Sequence, residues 1–436
     1  MKRVLIISPH FPPLNSPDMQ RVRMSLPFFK QFGWEPVVIC VDEKFTESAL
    51  DPLLIHSVPK DVEVHKVQAW SAKLTRKFGL GSLSLRSFFF FKKKGNELLK
   101  QGNFDLVYFS TTAFHVCALG PYWQRKFNVP FIVDIQDPWR SDFYLDKPKH
   151  ERPPKFYYAY QLDKYLEGKT IPKANGIISV SKGYCDTFKE RYPNLKDHQF
   201  KVISFGAMLD DFEIVRNHVQ SIKKIGLDNS KINLVYVGRG GHDLKFALEI
   251  IFKGFKKGLI EKPEVFSRIK FTFIGTDYAP SGAGKKTVLP VAKSLGVEDY
   301  LYEQTDRLPY FETLFLLKQA SILVVPGSTD TSYTASKIYP YILVQKPILA
   351  VFSETSSVVD VLKDVNMGEV VQFNNTENTD DYVEACYRSM DTLIAGMDIP
   401  VKLDMDRFEK YTAKAKTLEQ VEFFEEIVEA AKQHDK

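Results

Sequence analysis

The chain has 436 residues, enough for two or three domains that each bury their own core. Hydrophobic residues make up 44% and charged residues 26%, a globular rather than a disordered composition. The net charge of +5 is mild for this length and comes with no nucleic-acid module, so nucleic acid is not an expected partner.

The chain opens with VLIIS (Val4–Ser8), a short β-branched apolar run that stops at a Pro-rich loop. This pattern predicts a buried parallel strand. The loop HFPPLNSPD leads into RVRMSLPFFKQFG, whose apolar spacing predicts a helix ending at Gly33, and PVVIC (Pro36–Cys40) follows as a second strand. Strand, helix, strand is a βαβ unit and implies a parallel sheet. Further strands are predicted at Phe104–Ser110, Pro130–Ile135, Asn175–Ser181 and Phe200–Gly206. After the acidic segment MLDDFE (Met208–Glu213) a second series begins. Its strands are Ile232–Gly238, Ile269–Gly275, Ser321–Gly327, Lys346–Phe352 and Gly368–Phe373, and Asp404 to Gln433 reads as an amphipathic helix.

The expected architecture is therefore α/β, with two Rossmann-like halves facing each other across a cleft. Residues 1–206 form an N-terminal domain on the acceptor side, 207–403 a C-terminal domain on the donor side, and 404–436 a helical tail that closes the fold. Open parallel sheets bind ligands at the carboxyl ends of their strands, so the site is expected there. Cys40, Cys117, Cys185 and Cys386 are too widely spaced for a zinc or redox motif and read as buried thiols of a reducing compartment. The first apolar run is too short for a secretory signal, and no run of about eighteen apolar residues predicts a membrane span. A cytoplasmic protein is expected, with peripheral contact on the inner face of the cytoplasmic membrane as an open alternative.

Four constellations carry candidate chemistry. In VGRGGHDLK (Val237–Lys245) a strand ends at Gly238 and a helix begins shortly after. The turn with Gly238 and Gly240 can present backbone N–H groups to an anion, while Arg239 and Lys245 reach the same charge. A tight turn with both cations solvated is the alternative. In PGSTDTSYTASKIYPY (Pro326–Tyr341), Thr334 or Ser336 can cap the next helix, and Tyr333 lies in the same segment. Lys337 then falls in the first helical turn, where the dipole disfavours a cation. A bound diphosphate would remove that conflict, and a solvated Lys is an equal alternative. Glu354, just past a predicted strand, is a further donor-side candidate. In VDIQDPWR (Val133–Arg140), Asp134 and Asp137 end a strand and Trp139 offers a flat face to a sugar, unless it simply anchors the loop. His115 lies at another strand end, where an acceptor would bind. Finally, Thr75–Gly95 mixes Arg76, Lys77, Arg86, Lys92, Lys93 and Lys94 with Phe88 to Phe91. That mixture suits either an anionic membrane interface or a helix with Phe inward and Lys in water.

These segments together resemble the family 4 glycosyltransferases of the GT-B fold, especially bacterial members that build surface polysaccharides. The opening SPHFPPLNSPDMQRV is similar to their N-terminal loop, TTAFHVCALG and VDIQDPWR to their His-bearing and D-P-W loops, and ISVSKGYCDTF to their V-S strand and helix. ISFGAMLDDF resembles their interdomain segment, and VGRGGHDLK their G-R…K site, whose cations hold the donor diphosphate. Leu323 to Pro347 is similar to their P-S…K-L-F-E-Y…G-K-P block. The resemblance implies transfer of a sugar from a nucleotide-diphosphate sugar to a saccharide or lipid-linked acceptor, with retained anomeric configuration. It gives Arg239 and Lys245 the diphosphate and places His115 and Asp137 near the acceptor. No cofactor beyond the donor substrate is implied, and no Asp-x-Asp pair suggests a catalytic metal.

Two departures stand out. The family's paired Glu positions are Ser332 and Pro340, and the second usually holds the donor ribose. The usual Gly before Lys346 is Gln345. Pro340 keeps a second reading open, a binding or scaffold protein that has lost turnover. A third, a nucleotide-sugar epimerase, would need an added set of carboxylates.

Overall fold

The computed structural model describes residues 1–436 apart from 143, 154, 224, 280–281, 330–336, 375–377 and 435–436. The chain divides into two compact units: Met1–Gly206 with Ala413–Lys436, and Ala207–Thr412. The tail expected over 404–436 is thus split. Residues up to Thr412 stay with the second unit, where Ala207 and Thr412 pair in a short parallel bridge. The helix Ala413–His434 joins the first.

The first unit holds seven parallel strands: β1 (Lys2–Ile7), β2 (Trp34–Val41), β3 (Glu63–Val67), β4 (Leu106–Ser110), β5 (Phe131–Ile135), β6 (Gly176–Ser179) and β7 (Phe200–Val202), in the order β3-β2-β1-β4-β5-β6-β7. Alternate residues feed opposite faces. Leu5, Ile7, Val107, Phe109 and Val133 pack on one side with Phe91, Trp123 and Trp139. Val4, Ile6, Leu106, Tyr108 and Ile132 pack on the other against Phe29 and the C-terminal helix residues Phe423, Phe424, Ile427 and Val428. Both faces are covered, which is why the strands read as continuous apolar runs. Trp34 Nε1 donates to Glu425 Oε1 at 2.7 Å, and Lys2 pairs with the same carboxylate, fixing the last helix to this sheet.

The second unit holds β8 (Ile232–Val237), β9 (Ile269–Ile274), β10 (Leu301–Gln304), β11 (Ile322–Pro326), β12 (Ile348–Ser353) and β13 (Glu369–Phe373), all parallel, in the order β10-β9-β8-β11-β12-β13. In each sheet the chain builds outward in one direction and then restarts on the other side of its first strand. The switch points therefore lie between β1 and β4 and between β8 and β11, where open sheets leave a crevice at the strands' carboxyl ends.

The departure at Gln345 has a local consequence. This residue follows the helix Ile338–Val344 with φ 55° and ψ 44°, a left-handed conformation that favours glycine. Gln345→Gly should stabilise the second unit by about 0.5–1 kcal/mol in urea unfolding. A loss of stability would show that the Gln side chain contributes more than its backbone costs.

Candidate functional site

The second unit's switch point is built around one turn. β8 is fully buried, and the chain then turns through Gly238, Arg239, Gly240 and Gly241 into the helix Lys245–Glu261. Each glycine has a reason. A Cβ on Gly238 would lie 2.5 Å from Lys337 Nζ, one on Gly240 would lie 2.1 Å from Thr287 Oγ1, and Gly241 sits at φ 145°. Tyr236 Oη donates to the Arg239 carbonyl at 2.9 Å and closes the turn.

Arg239 is already paired. Its guanidinium makes a two-pronged bond to Asp243, Nη1–Oδ1 at 2.8 Å and Nη2–Oδ2 at 2.6 Å, and Ser328 at the end of β11 donates to the same carboxylate. This network, with a further bond from Nη1 to the Gly240 carbonyl at 3.1 Å, fixes the guanidinium's direction at the turn. Lys245 behaves differently. Its side chain is 62% exposed and lies 3.5 Å from Glu249 one helical turn on, so it stands in water as a surface ion pair.

Lys337 is the unusual group. The residue as a whole is half-buried, but its Nζ is enclosed and has no hydrogen-bond acceptor among the described residues. It sits 5.7 Å from the centre of the Tyr236 ring. Burial, then the positive charges of Arg239 and Arg307, push its pKa down to about 7, against a smaller opposing pull from Asp243. Arg307, past β10, lies over Tyr278 at 5.1 Å and has no ion-pair partner among the described residues. Among the described residues, three cations thus converge with one carboxylate to balance them. A buried ammonium without an acceptor is costly, and an anion at this point would remove the cost.

The other donor-side candidates are scattered. Glu354 is exposed just past β12, accepting from Asn374 Nδ2 at 3.2 Å. Pro340 occupies the first turn of the helix Ile338–Val344, where its missing N–H breaks no intrahelical bond. Tyr333, Thr334, Ser336 and Ser332 lie outside the described residues.

In the first unit, Asp134 is fully buried within β5. It accepts from Arg21 Nε, Ser110 Oγ and Gln136 Nε2 at 2.8 Å each, and from Tyr108 Oη at 3.2 Å. It is a structural carboxylate, not a surface one. Trp139 is buried and stacks on Phe114 at 5.4 Å, so it anchors the loop. His115 has both ring nitrogens engaged, Nδ1 with Ser84 Oγ at 2.7 Å and Nε2 with Asp163 Oδ1 at 3.0 Å. Asp137 is exposed past β5, its pKa raised by partial burial and then by the charge of Asp18.

That charge exposes a pair absent from the expected residues. His10, just past β1, places Nδ1 2.9 Å from Asp18 Oδ2. Asp18 is buried and also accepts from Thr111 Oγ1 at 2.9 Å and from the Thr112 N–H at 3.1 Å, at the end of β4. The available signal was an acid eight residues past a His, both in a Pro-rich loop that leaves a strand.

In the segment Thr75–Gly95, Phe91 is buried, Phe88 and Phe90 pack partly inward, and Phe89 is 58% exposed on Trp70. Arg86 is also turned inward, donating to the carbonyls of Trp70 at 2.6 Å and Phe45 at 3.2 Å. Leu74 and Leu80 are exposed near Lys73, Arg76 and Lys77. Among the described residues no helix is long and apolar enough to cross a membrane.

No family model and no curated protein matches the sequence. Solved structures do. The chain is similar to HepE of Anabaena in complex with UDP, at 13% identity and TM-score 0.55, covering 98% of this chain and 100% of that one. It is similar to a glycosyltransferase of Rickettsia africae at 13% identity and TM-score 0.56, covering 98% of each. It is also similar to a UDP-forming trehalose-phosphate synthase of Burkholderia xenovorans, at 12% identity and TM-score 0.58, covering 98% and 99%. With the two parallel sheets, these matches define the fold as GT-B.

Proposed function

We propose that this chain is a glycosyltransferase that moves a sugar from a nucleotide-diphosphate sugar to a saccharide or lipid-linked acceptor. The observation that carries the proposal is Lys337, an enclosed ammonium without an acceptor among the described residues, at the switch point and beside Arg239 and Arg307. A diphosphate is the anion whose charge matches that cluster. Its negative charge grows as the sugar leaves, and cations already oriented toward it stabilise the transition state without reorganising. Countercharge of this kind substitutes for a divalent metal, so the reaction is expected to run without one. Lys337 and Arg239 are the principal donor residues in this reading; Lys245 contributes at most a long-range field.

UDP is the first donor base to test, since the HepE crystals hold UDP and UDP-glucose. The motif resemblance favours surface-polysaccharide synthesis and retention of configuration. The exposed Trp70, Leu74, Leu80 and Phe89, set among Lys73, Arg76 and Lys77, fit peripheral contact with an anionic membrane face. Calorimetric titration with UDP, GDP and ADP, each with and without magnesium, tests the reading. Saturable binding of one of them, unchanged by magnesium, is expected. Absence of binding to all three would favour a scaffold protein.

A further inference from the structure

We propose that His10, oriented by Asp18, takes the proton of an acceptor hydroxyl at the switch point of the first unit. This rests on the transferase reading above. Transfer needs a proton acceptor, because the attacking oxygen loses its hydrogen as it bonds to the anomeric carbon. Three groups of the first unit were candidates by position, and two are unsuited. His115 has both nitrogens engaged, and Asp137 is exposed and makes no hydrogen bond among the described residues to orient it.

His10 meets the geometric requirement. Its Nδ1 faces a carboxylate at 2.9 Å, which fixes the tautomer with the proton on Nδ1 and the lone pair on Nε2. Nε2 has no hydrogen-bond partner among the described residues and is not sealed from solvent; the side chain is 17% exposed. Asp18 is suited to orienting rather than to accepting the proton. Burial opposes its charge, but His10 and the donors Ser16, Thr111 and Thr112 outweigh it and hold the carboxyl well below the usual range. The imidazolium formed in the reaction would be neutralised by this carboxylate. Burial disfavours the imidazolium, yet the charge and hydrogen bond of Asp18 raise the net pKa of His10 above its ordinary value. Asp137 is also near the pair and feels the charge of Asp18.

A lone pair of the acceptor oxygen forms the bond to the anomeric carbon on the face from which the diphosphate departs, so that the configuration is retained. The bond from that carbon to the phosphate oxygen breaks, and its electron pair leaves with the nucleoside diphosphate. The hydroxyl proton moves to His10 Nε2 and later passes to water. A residue that only braced the Pro-rich loop would need the Nδ1 donor and nothing else, and this difference can be tested.

His10→Asn keeps an N–H donor for Asp18 and removes the basic nitrogen. The full chain would be assayed for UDP release from UDP-glucose with water and with glucose as acceptors, over pH 5 to 9, with UDP affinity measured alongside. The expected result is UDP affinity within two-fold of wild type, a rate lowered at least about 100-fold, and loss of the wild type's acid-side fall in rate. A rate and pH profile like the wild type's overturns the proposal, as does a parallel loss of UDP affinity. A wild-type chain that does not bind UDP overturns the donor reading instead, and this inference with it. A second readout needs no turnover. Long-range 1H–15N NMR correlations are expected to show His10 protonated on Nδ1 with a basic Nε2, and a proton on Nε2 at neutral pH overturns the assignment.

Discussion

Lys337→Met should weaken UDP binding by about 10- to 100-fold while making the empty protein more stable. Both effects come from the same atom. Charge-assisted bonds to a phosphate are worth about 1.5–3 kcal/mol, and Met supplies none. Without ligand, the Lys337 ammonium has lost its water and gained no acceptor among the described residues, and Arg239 and Arg307 repel it. A Met of similar length fills the space without that cost. The stability gain should depend on pH. In the unfolded chain this Lys holds its proton up to an ordinary value near 10.5; in the fold it releases it near 7. Between these values the unfolded state binds more protons, so wild-type stability rises with pH through this window. The Met variant should lack that rise, and its advantage should be largest below pH 7. Unfolding midpoints from pH 6 to 9, with UDP affinities, give both halves. A variant that binds UDP normally, or is less stable at pH 6, would mean that Lys337 is satisfied by something other than an anionic ligand.

The second large effect concerns the last helix. Phe424 is fully buried, with its ring 5.1 Å from Tyr108 in β4, 5.5 Å from Trp34 in β2 and 6.1 Å from Phe29. Phe424→Ala should cost about 3–5 kcal/mol in the unfolding of the first unit, because the cavity is walled by three aromatic rings that cannot all move inward. Urea unfolding followed by tryptophan fluorescence is an apt probe, since Trp34 lies against the deleted ring. A cost below about 1 kcal/mol would mean that the helix Ala413–His434 is only loosely attached to this sheet.

Eleven strands were legible because buried parallel strands leave unbroken apolar runs, as in VLIIS and SILVVPG. The two that were not, β3 (EVHKV) and β10 (LYEQ), are edge strands with exposed positions inside them. They are short and carry polar residues, so no apolar run marks them. The same locality limits the sites. The glycine turn was readable because its residues are consecutive, and Lys337 because a cation in a first helical turn conflicts with the helix dipole. The convergence of Arg307 with both was not, since the second sheet brings it from the far side of β9. Arg239's bond to Asp243 sits at helical spacing, yet a ligand-free guanidinium and a paired one look alike in sequence. The pairing of His10 with Asp18 was not legible, because the two lie eight residues apart in a Pro-rich loop and no regular element fixes their spacing.

Calorimetry of UDP binding at pH 8 in two buffers of different ionisation enthalpy, HEPES and Tris, tests whether Lys337 seats the diphosphate. If the diphosphate seats on Lys337, binding restores the proton that burial and its neighbours have displaced. The wild-type chain should then take up close to one proton per UDP bound, and Lys337→Met close to none. Binding without proton uptake by the wild type, or equal uptake by both proteins, would contradict the assignment of Lys337 as the seat of the donor diphosphate.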